Sequence, residues 1–370
     1  MLEYQIEQIT DWYKWESLVL QAPQYSFLQS WQLGSLSEQL DNKVYRFGLR
    51  RGDQHFLLAQ VLIIEAKRGK LLQVRHGPLV LPEFHNLIAS QKIEVLSSLV
   101  NHLKQLGKAE SCDYIRLQPL FKTAIEDESN ATNTELELTS QYLEVLEVEG
   151  FKPASIHNID AEKTLILDIT PKPEVLLENM RKQTRYYVRK AEKSGVTVTH
   201  TQDSKAIEQF FSIHHDTTLR QSFKSYSLGF YQKFFAQLNS LPESKLSAEV
   251  YLADYQGQYI AAAIIVYYAG KAFYSDGGSL SAYSKIPASY LIQWTALKRA
   301  KDLGCSTYNF WGGVSPDKNN TKYPWYGIDL FKRGFAGTRV DYVHAFDQGL
   351  GWKYSFIRLF ELWEKLRRGY

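Results

Sequence analysis

Residues 249–267, EVYLADYQGQYIAAAIIVY, place two apolar runs on either side of a Gln-Gly turn. A glycine between runs rich in β-branched and aromatic residues indicates a β-hairpin, because glycine readily adopts the backbone angles of a tight turn. About 200 residues upstream, residues 43–64, KVYRFGLRRGDQHFLLAQVLII, repeat this arrangement with a turn at Gly52-Asp53. These two hairpins decide the fold, and the rest of each half is organised around its hairpin.

The likeness between the two halves continues after the hairpins. In each half, turn residues end a third strand, a helix follows, and a short strand comes after a glycine that suits a helix C-cap. The helices are expected at 93–106 and 288–303, and the short strands at 113–117 and 306–310. We therefore predict a mixed α/β (α+β) fold in which one strand–strand–strand–helix–strand module occurs twice, as in tandem acyltransferase-like domains.

Composition narrows the classes of protein that this chain can form. The 370 residues are 44% hydrophobic and 22% charged, which excludes a disordered or fibrous chain. The net charge is only +3, so binding of nucleic acid would depend on a local basic cluster. We expect a first domain at 1–150 plus about 338–370 and a second at 151–337.

Targeting and metal motifs are missing from the sequence. The longest apolar run, at 259–270, is shorter than the about 20 residues of a spanning helix, and the N-terminus does not read as a signal peptide. Cys112 and Cys305 stand far apart without metal-ligand spacing. We expect a cytoplasmic protein without metal or cofactor. His214 and His215 are adjacent on a helix and face different ways, so we interpret them as ordinary helix residues.

A basic segment begins the second domain. Pro171-Lys172-Pro173 is predicted to start a helix with an apolar stripe, and its charges are mostly positive: Arg181, Lys182, Arg185, Arg189, Lys190 and Lys193. The three arginines are spaced four residues apart, so they share a face and repel one another. A solvated face and a track for phosphates are both open interpretations. Tyr186 and Tyr187 among the charges suit a nucleic-acid surface.

Five segments occur in a characteristic order along nearly the whole chain. They are FLQSW at 27–31, NMRKQTRYYVRKAEKSGV at 179–196, TTLR at 217–220 followed by Tyr231, residues 287–304, and FKRGFAG at 331–337. In this order they resemble the Fem-type peptidoglycan aminoacyltransferases, the FemABX family, whose members have two GNAT-like domains. Residues 230–241 lead directly to Pro242, which resembles the compact type without a helical-hairpin insertion. Gln118 stands where some relatives have an acid proposed as a base.

The resemblance implies an enzyme that moves an amino acid from aminoacyl-tRNA to an amine on the stem peptide of a peptidoglycan precursor. The acceptor would be a UDP-linked muramyl peptide or its lipid-linked form. Lys332 is the implied catalytic residue, whose cation offsets the oxyanion of the tetrahedral intermediate. The implied contacts to the precursor are Arg220, Tyr274, Trp31, Ser30 and Arg116, the last being alternatively an ion-pair partner. The implied tRNA contacts are Arg181, Lys182, Arg185, Arg189 and Lys190.

Two further segments near the C-terminus carry expectations. Residues 317–327, DKNNTKYPWYG, are expected to form a lid before Lys332. Residues 352–370 are predicted to form a helix with an apolar face that includes Trp352, Phe356 and Trp363. We expect this face to pack on the first domain, and peripheral contact with the inner face of the membrane is the rival interpretation.

Two other functions remain open from the sequence. The first is an N-acyltransferase that takes an acyl-CoA or acyl-carrier donor, although residues 280–287 lack the glycine-rich loop that binds pyrophosphate. The second is a non-catalytic protein that binds tRNA or a cell-wall precursor.

Overall fold

The computed structural model describes residues 3–123, 131–155, 160–221, 225–315, 321–322 and 325–368. The chain divides into two compact units. The first unit comprises Met1–Glu162 and Val340–Tyr370, and the second comprises Lys163–Arg339.

Strands make up the framework of both units. They are β1 (Gln5–Gln8), β2 (Lys43–Arg51), β3 (Gln54–Ala66), β4 (Gly69–Arg75), β5 (Leu79–Val80), β6 (Tyr114–Gln118), β7 (Lys152–Pro153), β8 (Lys163–Asp168), β9 (Thr197–Thr201), β10 (Leu246–Tyr255), β11 (Gln258–Tyr268), β12 (Lys271–Ser279), β13 (Thr307–Asn309), β14 (Thr338–Asp341) and β15 (Phe346–Gly349).

Helices connect and cover the strands. They are α1 (Trp12–Val19), α2 (Trp31–Glu38), α3 (Pro82–His85), α4 (Ala89–Ala109), α5 (Asn133–Val148), α6 (Pro173–Asn179), α7 (Lys182–Lys193), α8 (Ser204–Gln221), α9 (Leu228–Leu238), α10 (Ala288–Asp302), α11 (Tyr326–Arg333) and α12 (Lys353–Arg368).

The two sheets share one topology. In the first unit the strand order is β1-β2-β3-β4-β6-β15-β7, with β5 beside β3, and in the second it is β14-β8-β13-β12-β11-β10-β9. Both predicted hairpins, β2–β3 and β10–β11, are antiparallel, whereas β4–β6 and β12–β13 are parallel pairs joined through a helix. The predicted mixed α/β fold with a repeated module is confirmed.

Residues 151–162 belong to the first unit. The strand β7 pairs with β15, and the buried carboxylate of Asp160 forms an ion pair with Arg75 at the end of β4. The expected division near residue 150 therefore lies before these residues, and the observed one follows Glu162. The chain returns to the first unit within β14.

Each unit has its own apolar core. In the first, Leu72, Val74 and Ile115 from the sheet pack with Leu99 and Leu103 of α4. In the second, the equivalent layer combines β10, β11 and β13 with α10, through Tyr251, Ile265, Tyr308, Ala296 and Leu297. Packing α4 and α10 against their sheets fixes the ends of the parallel strands, where the candidate site of the second unit lies.

A β-bulge interrupts β12 close to its centre. Ile265 pairs with Tyr274 but Ile264 pairs with Asp276, so Ser275 is an extra residue. The parallel pairing of β12 with β13 extends only from Lys271 to Phe273 on the β12 side. A bulge redirects the side chains that follow it. The second half of β12 is therefore free of β13 and lines the candidate site.

The basic helix is divided where one continuous helix was predicted. Met180 and Arg181 are extended, with ψ of 153° and 143°, so α6 ends at Asn179 and α7 begins at Lys182. Tertiary contacts cause the break: the backbone N–H of Arg181 donates to the carbonyl of Gly334 at 2.9 Å. The apolar stripe is as predicted at Met180, Thr184, Val188 and Ala191, which are buried.

The predicted packing of the C-terminal apolar face is wrong. Helix α12 docks on the first unit through Ile357 and Glu361, whereas Trp352, Phe356 and Trp363 are 74%, 65% and 54% exposed. Gly369 and Tyr370, which the predicted helix included, lie outside the described residues. Among the helices that the structure describes, none is both long and apolar enough to cross a lipid bilayer.

Candidate active site

Lys332 is a buried cation at the end of helix α11. It lies in the last turn of α11 with only 6% of its surface exposed. Its ammonium donates to the carbonyl of Gly312 at 2.5 Å and lies 5.2 Å from the centre of the Tyr274 ring. Burial lowers the pKa of Lys332 to about 7, against the weaker opposing effect of Asp329 and Asp276.

The carbonyl of Gly312 is aimed by a tight turn after β13. The side-chain oxygen of Asn309 accepts from the backbone N–H of Trp311 at 2.7 Å, and Trp311 has a left-handed φ of 60°. Gly313 follows with a φ of 82°, where a side chain would be strained and would approach Ile328 of α11. The turn therefore orients a backbone acceptor towards the lysine while α11 packs close beside it.

Helix α11 is fixed by its own ion pair. Asp329 is 1% exposed, accepts two hydrogen bonds from Arg333 at 2.9 Å, and accepts another from the backbone N–H of Ser315. These contacts occupy the buried carboxylate nearest to Lys332 in the sequence. Asp329 therefore anchors the helix. Lys332, one turn later, instead donates to the Gly312 carbonyl and faces Tyr274.

Tyr274 lies against Gly277 of the same strand. A side chain at Gly277 would overlap the Tyr274 hydroxyl, so glycine at this position lets the ring lie across the strand. Burial raises the pKa of Tyr274 far above its ordinary value, which keeps the phenol neutral. Lys332 and Tyr274 thus form one side of the candidate site, where Lys332 provides a cation and Tyr274 a neutral hydroxyl group.

Asp276 follows the bulge and links the lysine to helices α8 and α9. Its charge acts on Lys332, on His214 of α8 and on Tyr231 of α9. His214 is buried, its Nδ1 lies 3.0 Å from Ser225 Oγ, and burial lowers its pKa. The prediction that His214 and His215 face different ways agrees with the structure, because His215 is exposed.

Arg220 is exposed at the C-terminal end of α8. Its guanidinium donates to Ser281 Oγ at 2.9 Å, to the Ser279 carbonyl at 3.2 Å, and to Asp216 at 3.3 Å. Close packing holds α8 on β12, because a Cβ at Gly278 would meet the α8 backbone at His214. Arg220 therefore sits on the strand that carries Tyr274 and Asp276, with its cation at the surface.

The basic helix α7 contacts the helix that carries Lys332. A side chain at Gly334 would overlap the Thr184 hydroxyl, and Tyr187 packs on Tyr290 with ring centres 4.8 Å apart. Tyr290 in turn packs on Phe331 at 4.8 Å. The outer face of α7 forms an open groove, which we call the basic groove, lined by Lys182, Arg185, Tyr186, Arg189, Lys190, Lys193 and Ser194.

Arg185 differs from the other bases of this helix. Its Nη1 donates to the carbonyls of Glu178 and Met180 at 2.6 and 2.5 Å, so it joins the end of α6 to α7. Arg181, Lys182 and Arg189 are exposed. Four of the five predicted tRNA contacts thus line the basic groove, which does not include Arg181, and Arg185 also serves the helix junction.

Three implied precursor contacts have structural roles in the first unit. Ser30 is buried, accepts from the backbone N–H of Leu33 and donates to the Phe27 carbonyl, so it caps helix α2. The Trp31 ring lies under the guanidinium of Arg46 at 3.7 Å. Ser30 and Trp31 therefore each have a structural partner in the first unit, and their contact with the precursor stays a prediction.

Arg116 is an ion-pair partner and not a wall of a cleft. It is 2% exposed, donates twice to Asp347 at 2.6 Å, and donates to Glu361 of α12 at 3.1 Å. Gln118 is also buried, and its amide donates to the Asp160 carbonyl at 3.4 Å. Both side chains are therefore buried on partners of the first unit, in agreement with the ion-pair interpretation of Arg116.

The expected lid includes the start of helix α11, at Tyr326 and Gly327. Of its other residues, 317–320 and 323–324 lie outside the described residues. Sequence reasoning missed Asp276, Asp329 and the Trp311-Gly312-Gly313 turn. The adjacent glycines after a short strand were the available signal for that turn. Within the described ranges, no three His, Cys, Asp or Glu side chains come together as metal ligands do.

Known proteins resemble this chain in sequence and in structure. A lipid II:glycine glycyltransferase of Staphylococcus aureus is 20% identical over 323 residues, covering 69% of this chain and 73% of that protein. The crystal structure of FemX matches 96% of this chain and all of that chain, at 18% identity with a TM-score of 0.75. A tandem GNAT protein of the clavulanic acid biosynthesis pathway matches 94% and 99%, at 9% identity with a TM-score of 0.58.

The two sheets and their helices define a protein with two GNAT-like domains. The model of the FemAB family matches residues 14–255 and 236–361, most of the chain. The chain belongs to the FemAB family.

The depressed pKa of Lys332 predicts a pH-dependent stability difference. The unfolded chain binds this proton with a pKa of 10.5 and the native protein with about 7. Between these values the unfolded state holds more protons, so this lysine makes wild-type stability rise with pH, by up to about 1.4 kcal/mol per unit. The stability of Lys332→Met relative to wild type should be greatest below pH 7 and should decline towards pH 9, as measured by urea unfolding.

Lys301→Met is the matched control. Lys301 also donates to a backbone carbonyl, that of Ile169 at 2.7 Å, but at the other end of α10 from Tyr290. The difference in unfolding free energy between Lys301→Met and wild type measures the effect of removing a lysine that donates to a carbonyl outside the candidate site. A constant difference for Lys332→Met would show that Lys332 does not titrate near pH 7.

Proposed function

We propose that this protein transfers an amino acid from aminoacyl-tRNA to an amine on the stem peptide of a peptidoglycan precursor. The observation that carries the proposal is the buried Lys332 beside the Gly312 carbonyl, on a helix that contacts α7, whose outer face forms the basic groove. Membership of the FemAB family and the likeness to a lipid II:glycine glycyltransferase support the same reaction class.

The chemical step needs a cation near the reacting carbonyl. The acceptor amine attacks the aminoacyl ester, a C–N bond forms, and the carbonyl oxygen takes up negative charge in the tetrahedral intermediate. The C–O bond to the tRNA ribose then breaks, and the proton lost by the amine ends on the departing ribose oxygen. A cation in a site with little water stabilises the oxyanion much more than it does in bulk solvent. Lys332 supplies that cation.

The lowered pKa of Lys332 has a functional consequence. A buried ammonium with a pKa of about 7 is poorly compensated in the free protein. An oxyanion beside it would raise that pKa, so the lysine interacts more strongly with the transition state than with the neutral ester. The Tyr274 hydroxyl is the second group on this side of the candidate site, and it stays neutral.

Removal of the first proton falls to the substrate or to water. Gln118 has no titratable group, and its buried amide donates to the Asp160 carbonyl. The proton therefore passes to a precursor phosphate or to water before it reaches the ribose oxygen.

Arg220 is the proposed phosphate contact of the precursor. It is exposed and held by Ser281 and Asp216, so its orientation is set before a ligand arrives. Tyr274 and Arg220 are carried by β12 and by the helix packed on it. The precursor would therefore extend along the second half of β12 with its amine near Lys332.

The basic groove is the proposed surface for the tRNA. Exposed Arg and Lys side chains bind phosphates without reading sequence, and Tyr186, 54% exposed, offers a face for stacking a base. Because α7 contacts α11 through Gly334, a tRNA arm on α7 would approach the element that carries Lys332.

Lys332→Met should lower the rate of transfer and leave precursor affinity nearly unchanged. Removal of one group that stabilises the oxyanion typically reduces kcat by roughly 10²–10³. The charge is needed mainly in the transition state, so Kd should change little. Single-turnover transfer with charged tRNA and both precursor forms measures the rate, and calorimetry measures Kd.

Two other variants test whether the loss of transfer rate is specific to Lys332. Lys301→Met, which removes an equivalent lysine from the far end of α10, should transfer normally. Arg220→Ala should show the opposite pattern, with weaker precursor binding and a smaller change in rate. Normal turnover of Lys332→Met would refute the proposed role of Lys332, and normal precursor binding by Arg220→Ala would refute its phosphate contact.

Neutralising two bases of α7 should weaken tRNA binding and its salt dependence. We choose Arg189→Gln with Lys190→Gln, because substituting Arg185 would also break the junction between α6 and α7. Each lost phosphate contact reduces the slope of log K against log salt by about 0.7–0.9, so the pair should reduce it by roughly 1.5. Filter binding over a salt series measures both quantities.

The control removes the same charge elsewhere in the second unit. Lys205→Gln with Lys298→Gln changes two exposed lysines of α8 and α10. With this pair of substitutions, the slope of log K against log salt should be the same as in wild type. If both pairs behave alike, the basic groove is only a solvated face.

A further inference from the structure

Helix α12 presents its apolar side to solvent. Seven large hydrophobic side chains within residues 352–366 are exposed, and four of them by more than 60%: Trp352, Phe356, Leu359 and Leu366. The remaining three are Phe360, Leu362 and Trp363. In the other described segments, exposed large hydrophobic residues stand singly along the sequence. We call this surface the α12 apolar face. A contiguous patch of this kind marks an interaction site.

The opposite side of α12 is fixed to the first unit largely by charge. Glu361 is buried against Arg116, Glu364 lies 3.2 Å from Arg68, and Arg358 donates to the Pro153 carbonyl at 3.1 Å. The apolar part of the contact is small, formed by Ile357 and Tyr354 with Tyr114 and Leu71. The helix is therefore held with its apolar face outward by a specific, buried polar contact.

Basic residues border the α12 apolar face, and the acids are turned away. Lys353, Lys365 and Arg367 are exposed, and the Arg367 guanidinium lies 5.1 Å from the Trp363 ring. Both acids of the helix, Glu361 and Glu364, are paired on the docked side. The free face thus combines aromatic and aliphatic side chains with positive charge.

We propose that the α12 apolar face binds the surface of an anionic lipid bilayer. An amphipathic helix with Trp, Phe and Leu on one side and Lys and Arg at its borders lies in the headgroup region, with its apolar side chains among the acyl chains. Tryptophan is favoured at this depth because its ring is amphipathic. Lys365 and Arg367 extend their charges towards lipid phosphates while their stems cover apolar surface.

A second copy of the chain fits this face less well. Trp352, Phe356, Leu359, Trp363 and Leu366 have the spacing of a coiled-coil seam, but only over about two heptads, which is short for a stable pair. The charged residues beside the seam are basic. Lys353 lies 3.8 Å from Asp113 of the first unit, and Lys365 and Arg367 carry the remaining positive charge, so two copies would bring like charges together. Anionic lipid headgroups provide the opposite charge.

Co-sedimentation with vesicles tests the proposal. The full chain should bind vesicles of equal parts phosphatidylglycerol and phosphatidylcholine, and should bind pure phosphatidylcholine much less. Phe356→Ser with Leu359→Ser and Trp363→Ser should reduce binding by roughly tenfold or more, because three apolar side chains no longer insert. Lys365→Gln with Arg367→Gln should reduce binding to anionic vesicles and its salt dependence.

The control triple variant changes exposed hydrophobic residues elsewhere in the first unit. Tyr13→Ser, Ile88→Ser and Val148→Ser remove side chains that are 69%, 66% and 78% exposed. This variant should bind like wild type. Circular dichroism checks that each variant remains folded, and light scattering measures the oligomeric state.

Three outcomes would overturn the proposal. They are no binding to anionic vesicles, equal binding by the α12 triple variant, and a wild-type dimer that the α12 variant alone abolishes without vesicle binding. The proposal is independent of the proposed transfer reaction. Transfer to a nucleotide-linked precursor should be unchanged in the α12 variant, so failure of either proposal can be recognised separately.

Discussion

The candidate site of the second unit depends on one interaction, the hydrogen bond from a buried lysine to a backbone carbonyl. Lys332 is only 6% exposed, and its ammonium is favoured by the Gly312 carbonyl and the Tyr274 ring. The charges of Asp329 and Asp276 also favour it, although burial still lowers its pKa to about 7. Holding that carbonyl in place requires the left-handed turn at Trp311, and holding the lysine requires α11 with its Asp329–Arg333 pair. The turn, the helix and the bulged strand β12 are therefore arranged around one ammonium group.

The repeated module explains why such a site lies in the second unit. In both sheets a parallel pair of strands follows a hairpin, and the helix between them packs on the sheet. In the second unit the pairing of β12 with β13 ends at Phe273, and β12 then supplies Tyr274 and, after the bulge at Ser275, Asp276. In the first unit the equivalent pair continues to Arg75 and Gln118, and Arg116 on this strand is committed to Asp347 and Glu361. The same pair of parallel strands therefore supplies the polar candidate site in the second unit and a buried ion pair in the first.

The sequence predicted the features that depend on local pattern. Both hairpins, the helix of each module and the buried stripe of α7 follow from periodicity and glycine turns. Features that depend on distant partners were missed. Arg116 and Asp347 are 231 positions apart, so their pairing could not be read from either segment. The break at Met180 and Arg181 is caused by the Gly334 carbonyl, and local propensity alone favours a continuous helix. The motif identified Lys332, but its burial depends on packing of α11 against the turn after β13.

The pH dependence of the transfer step tests the role of Lys332 most directly. Single-turnover rates should be measured from pH 6 to 9 for wild type and for Lys332→Arg, with saturating tRNA and precursor. Both should gain rate as the acceptor amine loses its proton. Wild type should then lose rate as Lys332 is deprotonated, whereas Lys332→Arg stays charged and should show no such decline. A wild-type rate that rises throughout this range, in parallel with Lys332→Arg, would contradict a catalytic cation at Lys332.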